Sequence, residues 1–356
     1  MLIKGKDNMR ILLISANPHN AVGGIASWTK GYLEYCQKNN IICDLVDTAK
    51  KNKFYFKFLN EFARTYNVIS SLKKKIVTDN CYDVIHLNSC IGTYGIIRDY
   101  FLARMIKKNR IPLVLHFHCD VGYWDKRKII QFFMQKIIGL ADCCIVLCSS
   151  SMNHLRQAYN KKSIIIPNCT DLKNVHKGRV ANYTIKTVIY IGRISEAKGS
   201  IELFELAKRF PNKLFVLVGK VYLDLTEIDV PSNVKLLGEK PHEQVIDLLN
   251  MADVFLFPSH SEGFSIALTE AMAQGLPSIV TDVGANRDMV SNGAGIVVTA
   301  GDVDKMEVAL KTIEDQRIRQ EMSNSALQKV KNEYVTDRVF EKIILLYQGI
   351  INHENK

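Results

Sequence analysis

At 356 residues the chain is long enough for two domains of ordinary size, and 47% hydrophobic with 23% charged residues excludes a disordered or fibrous protein. No run of about eighteen apolar residues and no signal-peptide pattern occurs, so neither a spanning helix nor secretion is expected and the protein is placed in the cytoplasm. The formal net charge of +11 is uneven: residues 1–180 carry 28 Lys+Arg against 12 Asp+Glu, a surplus of +16, while the remainder is at −5. That basic half favours an anionic partner such as a membrane surface, a lipid diphosphate or nucleic acid. Nine cysteines without paired Cys-x-x-Cys knuckles point to reduced core thiols and not to a metal centre.

Residues 1–9 read as a short lead. Arg10–Ser15 is a near-continuous apolar strand, the kind covered on both faces in a parallel sheet. It empties into a loop ending at Gly23-Gly24, and a helix carrying Ile25, Trp28, Tyr32 and Leu33 follows. Strand, glycine loop and helix N-terminus form either a phosphate cradle or a plain turn. Ile41–Val46 is a second strand. Residues 50–64 are basic and aromatic, followed by Lys73, Lys74 and Lys75. Such a helix either lies on an anionic membrane surface, each basic residue contributing about 1 kcal/mol, or is solvated with its aromatic stripe in the core.

Tyr82–Asn88 is a strand, residues 94–108 a helix, and Ile111–Asp120 another strand. Alternation puts His116 and His118 on one face of it, as core histidines or as site groups. Trp124, Lys126, Arg127, Lys128, Phe132 and Phe133 form a second basic and aromatic patch. Cys143–Leu147 and Ser163–Asn168 are further strands, and residues 170–185, polar and aperiodic, read as an interdomain linker.

The second half restarts the alternation. Thr187–Ile191 leads into Gly192-Arg193 and then Lys198-Gly199, where a guanidinium and an ammonium at the end of a strand can converge on one diphosphate. Strands at 214–218 and 234–237 precede a helix at 242–249, whose first polar positions are expected near a nucleotide base. Val254–Phe257 then runs through Pro258-Ser259-His260-Ser261 into Glu262-Gly263-Phe264. A helix with an inward face of Ile266, Leu268, Ala271 and Met272 ends near Gly275, before a strand at Ser278–Thr281. The positive end of that helix sits at the carboxyl edge of a sheet, where phosphorylated ligands bind. Glu262 and Glu270 would be repelled by a phosphate unless they face paired hydroxyls, so the expected ligand joins phosphate to vicinal hydroxyls: a nucleotide, a sugar, or both. Gly295–Val298 is the last strand. Asp302-Val303-Asp304 reads as a helix cap for residues 306–313, not as a metal motif. Residues 338–347 are a terminal helix.

Glu262 and Glu270 with seven residues between them, set among Pro258-Ser259, Glu270-Ala-Met-Ala273 and Gly275-Leu-Pro277, together with Gly192-Arg193 and Lys198-Gly199, resemble the retaining glycosyltransferases of family 4. The resemblance covers most of residues 10–347. It implies an α/β GT-B architecture, two Rossmann-like doubly wound parallel-sheet domains facing a cleft: an acceptor-binding domain of residues 1–170, with the helix at about 338–356 packed back on it, and a nucleotide-sugar domain of residues 171–337. The implied donor is a nucleotide-diphosphate sugar, and the implied acceptor a saccharide or lipid-linked saccharide of bacterial surface-polysaccharide assembly. Peripheral contact with the anionic inner face of the cell membrane is expected, and no nucleic acid. Glu270 would hold the ribose, and Arg193 and Lys198 the leaving diphosphate without a metal. Glu262 and the backbone N–H groups of Phe264, Ser265 and Ile266 would grip the sugar. His118 would reach the sugar from across the cleft, with Asp120 a weaker candidate, and Gly23, Gly24 and Gly192 would line the diphosphate.

Three positions depart from the family pattern. Cys169 stands where a glycine is usual, Ser265 brings a side chain near the sugar or phosphate, and Ala285-Asn286-Arg287-Asp288 replaces Gly-x-x-Glu. The competing readings are another GT-B enzyme, such as a nucleotide-sugar epimerase or an inverting transferase, and a basic nucleic-acid-binding protein.

Overall fold

The computed structural model describes residues 9–21, 23–49, 57–79, 81–89 and 91–354. The lead up to Asn8, and Lys50–Phe56 of the basic aromatic segment, lie outside them. In chain order the elements are β1 (Arg10–Ser15), α1 (Gly24–Lys38), β2 (Ile42–Asp47), α2 (Lys57–Asp79), β3 (Val84–Ser89), α3 (Thr93–Lys108), β4 (Leu113–Phe117), α4 (Val121–Trp124), α5 (Lys128–Leu140), β5 (Cys143–Val146), α6 (Ser149–Tyr159) and β6 (Ile164–Ile165). There follow β7 (Thr187–Ile191), α7 (Ser200–Arg209), β8 (Leu214–Val218), β9 (Val234–Leu236), α8 (His242–Met251), β10 (Val254–Phe257), α9 (Ile266–Ala273), β11 (Ser278–Thr281), α10 (Asn286–Met289), β12 (Gly295–Val298), α11 (Val303–Thr312), α12 (Gln316–Lys329) and α13 (Thr336–Glu354).

These divide into two compact units, Met1–Asn168 with Thr336–Lys356, and Cys169–Val335. Each holds one six-stranded, all-parallel sheet, ordered β2-β1-β3-β4-β5-β6 in the first and β12-β11-β10-β7-β8-β9 in the second. The central strands β1, β3, β4 and β10 are buried almost throughout, which is why they read as unbroken apolar runs and not as alternation. Strand order reverses between β1 and β3 in one unit and between β7 and β10 in the other. Loops leaving the carboxyl ends at such a reversal diverge to opposite faces and open a crevice, the place where doubly wound sheets bind ligands.

Residues 170–185 are not a free linker. Arg179 donates to the carbonyls of Leu249, Asn250, Ala252 and Gln274, and Asn182 to Asp253 (2.6 Å). Arg319, 1% exposed, donates to the carbonyls of Asn182 and Tyr183. The stretch is polar because its side chains and backbone satisfy orphan groups at the ends of helices and strands of the second unit, and polarity without period resembles a linker in sequence.

On α2, Val68, Leu72 and Ile76 face the core of the first unit, whereas Phe62 and Tyr66 are exposed. The buried stripe of this helix is therefore aliphatic and its described aromatics point outward. On α5 the division is similar, with Ile130, Met134, Ile137 and Ile138 inside and Phe132 outside. Asp302 caps α11 by accepting from Lys305 N–H (3.0 Å), as an N-cap aspartate should.

Candidate active site

In the second unit the site residues gather where β7 and β10 end. Lys198 and Glu262 meet there: Lys198 Nζ lies 2.5 Å from Glu262 Oε1 and also donates to Ser261 O (2.9 Å) and Ser259 Oγ (3.4 Å). Both side chains are only about 15% exposed, so the pair is largely removed from water. Gly199 makes this approach possible. Its φ is +73°, and a Cβ on it would lie 2.2 Å from Pro258 O, so only glycine lets the Lys198 turn lie against the strand that delivers Glu262.

The Glu262 turn is held from a second side. Ala285 N–H donates to Gly263 O (2.9 Å), and Gly284, at φ +53°, packs so closely that a Cβ would lie 2.3 Å from Glu262 O. Arg193 is exposed. Its backbone is fixed by Tyr190, whose buried hydroxyl donates to Arg193 O (2.8 Å). Burial, and secondarily the Glu262 charge, pushes the Tyr190 phenol well above its ordinary range, so that hydroxyl stays a donor.

Helix α9 carries Glu270. Leu268, Ala271 and Met272 of its expected inward face are buried, but Ile266 is exposed, because the first residue of the helix sits at the open carboxyl edge of the sheet. Ser265 Oγ accepts from Leu268 N–H (3.1 Å), so the side chain expected near the sugar or phosphate is committed to capping. Phe264 is packed edge-on against Tyr334, ring centroids 5.5 Å apart, and only its backbone remains for a ligand. Glu270 Oε1 lies 2.9 Å from His242 Nε2, which places His242 on the carboxylate. Burial raises the Glu270 pKa above the ordinary glutamate value, with His242 opposing.

The first unit gathers a different chemistry at the β1–β3 reversal. His86, Asn88, His116 and His118 come from β3 and from the end of β4, which pair in register so that Asn88 lies opposite His116. Asn88 Oδ1 is 3.0 Å from both His86 Nε2 and His118 Nε2, and the His116 and His118 rings are 3.9 Å apart. Trp28 of α1 stacks on His86 and meets His118 edge-on, centroids 5.5 and 5.1 Å away. Helix α13 adds Tyr347, whose hydroxyl is 2.6 Å from His86 Nδ1. Burial holds His86 and His118 down to about 3, and His116 well below its usual value, so all three are neutral at physiological pH. Gly23, at φ +126°, ends the loop into α1, and Gly24 is that helix's first residue. Asp120 is turned to cap α4 through Gly122 N–H (3.1 Å).

Against this geometry, the family described as "Glycosyltransferase Family 4" matches residues 35–174 and "Glycosyl transferases group 1" matches residues 173–329. The chain belongs to the family 4 glycosyltransferases. The chain is 25% identical to the UDP-Gal:alpha-D-GlcNAc-diphosphoundecaprenol alpha-1,3-galactosyltransferase of Escherichia coli, over 89% of this chain and 88% of that one. It is 25% identical to the 2-deoxystreptamine N-acetyl-D-glucosaminyltransferase of Niallia circulans, over 76% and 77%. The sucrose-phosphate synthase structure from Thermosynechococcus elongatus superposes with a TM-score of 0.81 at 18% identity, over 97% of this chain and 100% of that one. The glycosyltransferase thus has the GT-B type of fold, built from two doubly wound units.

Sequence reasoning singled out Lys198, Glu262 and Glu270 but not the residues that hold this glycosyltransferase's site in shape. Tyr190 and Asn88 carry no motif signal in the sequence, and His242, expected near a nucleotide base, lies instead on the Glu270 carboxylate. A tyrosine in the middle of an apolar strand needs a partner for its hydroxyl, and that signal alone could have found Tyr190.

Proposed function

We propose that the enzyme moves a sugar from a nucleotide-diphosphate sugar to a saccharide or lipid-linked saccharide, with retention of configuration, in surface-polysaccharide assembly. The observation that carries this reading is the Lys198–Glu262 pair at the β7–β10 reversal, with Glu270 on the adjoining helix α9. A diphosphate drawn to Lys198 and Arg193 develops charge as the bond from sugar C1 to its leaving oxygen breaks, and preorganised cations stabilise that charge most in the transition state. These two cations make a metal unnecessary. Glu262 then accepts from the sugar hydroxyls, and Glu270 from the ribose hydroxyls. The bond from C1 to the acceptor oxygen forms on the face the diphosphate leaves, and the acceptor proton passes to the departing phosphate oxygen. In the first unit, His118 is the group for a sugar hydroxyl. The relative from Escherichia coli, named for a UDP-galactose donor and a diphosphoundecaprenol-linked acceptor, supports this substrate class. So does the neighbouring HepE structure from Anabaena in complex with UDP-glucose (TM-score 0.70, 18% identity).

The test is a thermal-shift and hydrolysis panel of UDP-, GDP- and ADP-sugars, in EDTA, on the wild type and Glu270→Ala. One nucleotide series should stabilise the wild type and fail on the variant; no shift with any donor would sink the reading. Because burial raises the Glu270 pKa and only the carboxylate accepts two hydroxyls, donor affinity should fall on acidification at a higher pH than an ordinary glutamate would give. His242→Ala, which removes the opposing partner, should move that fall higher still.

The acceptor's lipid is suggested by the outer face of the first unit, where α3 packs between α2 and α5. Phe62, Tyr66, Phe101 and Phe132 are exposed on these helices with Lys73, Lys74, Lys128 and Lys136, and Trp124, Lys126 and Arg127 are exposed on the segment that leads into α5. No described helix is long and apolar enough to cross a membrane. Aromatic rings beside lysines suit the interface of an anionic leaflet. In flotation assays the protein should rise with phosphatidylglycerol vesicles and not with neutral ones, and replacing Lys126, Arg127 and Lys128 by glutamate should leave it at the bottom; equal flotation of the variant would remove this surface as the docking face.

A further inference from the structure

The geometry assigns Asn88 as a positioning residue: a hydrogen-bond chain running from the Ile25 carbonyl through Thr29, Ser15 and Asn88 fixes His118 as the neutral tautomer protonated on Nε2, leaving Nδ1 as a bare acceptor. Once the Thr29 proton is placed on the Ile25 carbonyl, each later link follows in one direction. Thr29 Oγ1 donates to Ile25 O (2.8 Å), which has no proton to give. Thr29 can therefore only accept from Ser15, whose Oγ lies 2.7 Å away, and Ser15 spends its single proton there. Ser15 Oγ is left as an acceptor, so the atom of Asn88 facing it at 2.9 Å is the amide nitrogen. The amide oxygen then points at the imidazoles, and both His86 Nε2 and His118 Nε2 must carry protons to meet it.

The far end of the network agrees. With His86 protonated on Nε2, its Nδ1 accepts from Tyr347 Oη–H, and Tyr347 in turn accepts from the Tyr32 hydroxyl at 3.3 Å. His116 Nδ1, 3.2 Å from His86 Nε2, is an acceptor too, so His116 also carries its proton on Nε2. The groups facing His118 are His86 on β3, His116 on β4, Trp28 on α1 and the Asn168 side chain; Tyr347 on α13 and Tyr32 on α1 lie one step further on. No carboxylate hydrogen-bonds the three imidazoles among the described residues; only the amides of Asn88, on His86, and Asn168, on His118, favour the cationic form, and burial outweighs them.

Of the buried side-chain atoms without a hydrogen-bond partner among the described residues, four lie in this cluster: His116 Nε2 and His118 Nδ1, which this assignment leaves as an N–H and a lone pair, and Trp28 Nε1 and Asn168 Oδ1. If His118 serves the transferred sugar, a role that rests on the function proposed above, it serves as an acceptor for an O–H and not as a proton donor or a cation. The tautomer itself does not depend on that role.

Long-range proton–nitrogen correlation spectra of the full chain labelled with 15N-histidine read each ring directly, with His118 assigned by the signal lost in His118→Asn. Nε2 protonated and Nδ1 bare on His118 and His86 between pH 6 and 8 is the expected result. An Nδ1-protonated or doubly protonated His118 would overturn the assignment, the former meaning that it donates to Asn168. In Thr29→Val, Ser15 loses its acceptor and is free to turn its proton on Asn88, so the amide flips and His118 should shift toward the Nδ1 tautomer. kcat should fall while nucleotide affinity holds. Unchanged tautomers in that variant would end the claim that the chain from Ile25 sets the ring. In Asn88→Asp a carboxylate replaces the amide, and His118 should begin to titrate above about pH 5. A His118 that stays neutral there counts against Asn88 as its controlling partner, and this holds if Thr29→Val does not fold.

Discussion

Lys198→Ala should lower kcat by about 10²–10³-fold, a loss of about 3–4 kcal/mol, the usual magnitude for removing one preorganised group from developing charge. The ammonium is positioned before any ligand arrives: Ser259, Ser261 and Glu262 take its three protons, and little water reaches it. Alanine would also strand Glu262 as a largely buried carboxylate without a cation, so the melting temperature should fall as well. The two effects separate in Lys198→Ala with Glu262→Gln. Neutralising the stranded charge should restore most of the melting temperature and none of the rate. Recovery of the rate in the double variant would mean that Lys198 matters only as the counter-ion of Glu262.

Gly284→Ala should cost about 10²-fold in kcat/KM with affinity for the nucleotide alone nearly unchanged. A Cβ at this position lies 2.3 Å from the Glu262 carbonyl oxygen and 2.8 Å from that of Gly263, both backbone atoms that cannot rotate away. The turn must retreat, and a displacement of about 1 Å at a positioning group is enough for a loss of this size. Glu270 and α9 do not rest on that contact, so the nucleotide should still bind. Steady-state kinetics beside a nucleotide titration checks the split; equal losses in both would show that the turn and α9 move as one body.

The fold was legible because its signals are collective. A run such as Ile11–Ile14 or Val254–Phe257 can be buried on both faces only in a parallel sheet, and several such runs among strands that alternate with helices leave few architectures. Lys198, Glu262 and Glu270 were legible because charged side chains beside glycines at strand ends are expensive to place without a use. What the sequence hid depends on three-dimensional closure. Gly284 stood in a loop that departs from the family pattern, and nothing local shows that it abuts Glu262, 22 positions earlier. Asn88 and His118 are 30 residues apart and meet only through strand register. At Ser265 a helix start offers the hydroxyl two uses, ligand or cap, and its rotamer, which no local signal shows, puts it on Leu268 N–H. The stretch 170–185 was misjudged because a strap that satisfies orphan carbonyls and a solvated linker have the same composition.

The first unit is assembled from both ends of the chain, and this bears on how the protein is made. Phe340 packs edge-on against Trp28 and Tyr32, and Tyr347 completes the His86 hydrogen bonds, yet both lie beyond the 167 residues of the second unit. At ribosomal speeds of about 5–20 residues per second, roughly ten to thirty seconds separate synthesis of the first sheet from that of the helix that covers it. The second unit can therefore finish folding while the earlier one waits with an aromatic face open. Chaperone capture should concentrate on that interval, and a nascent chain stalled before Thr336 should expose in its oldest half what the finished enzyme buries.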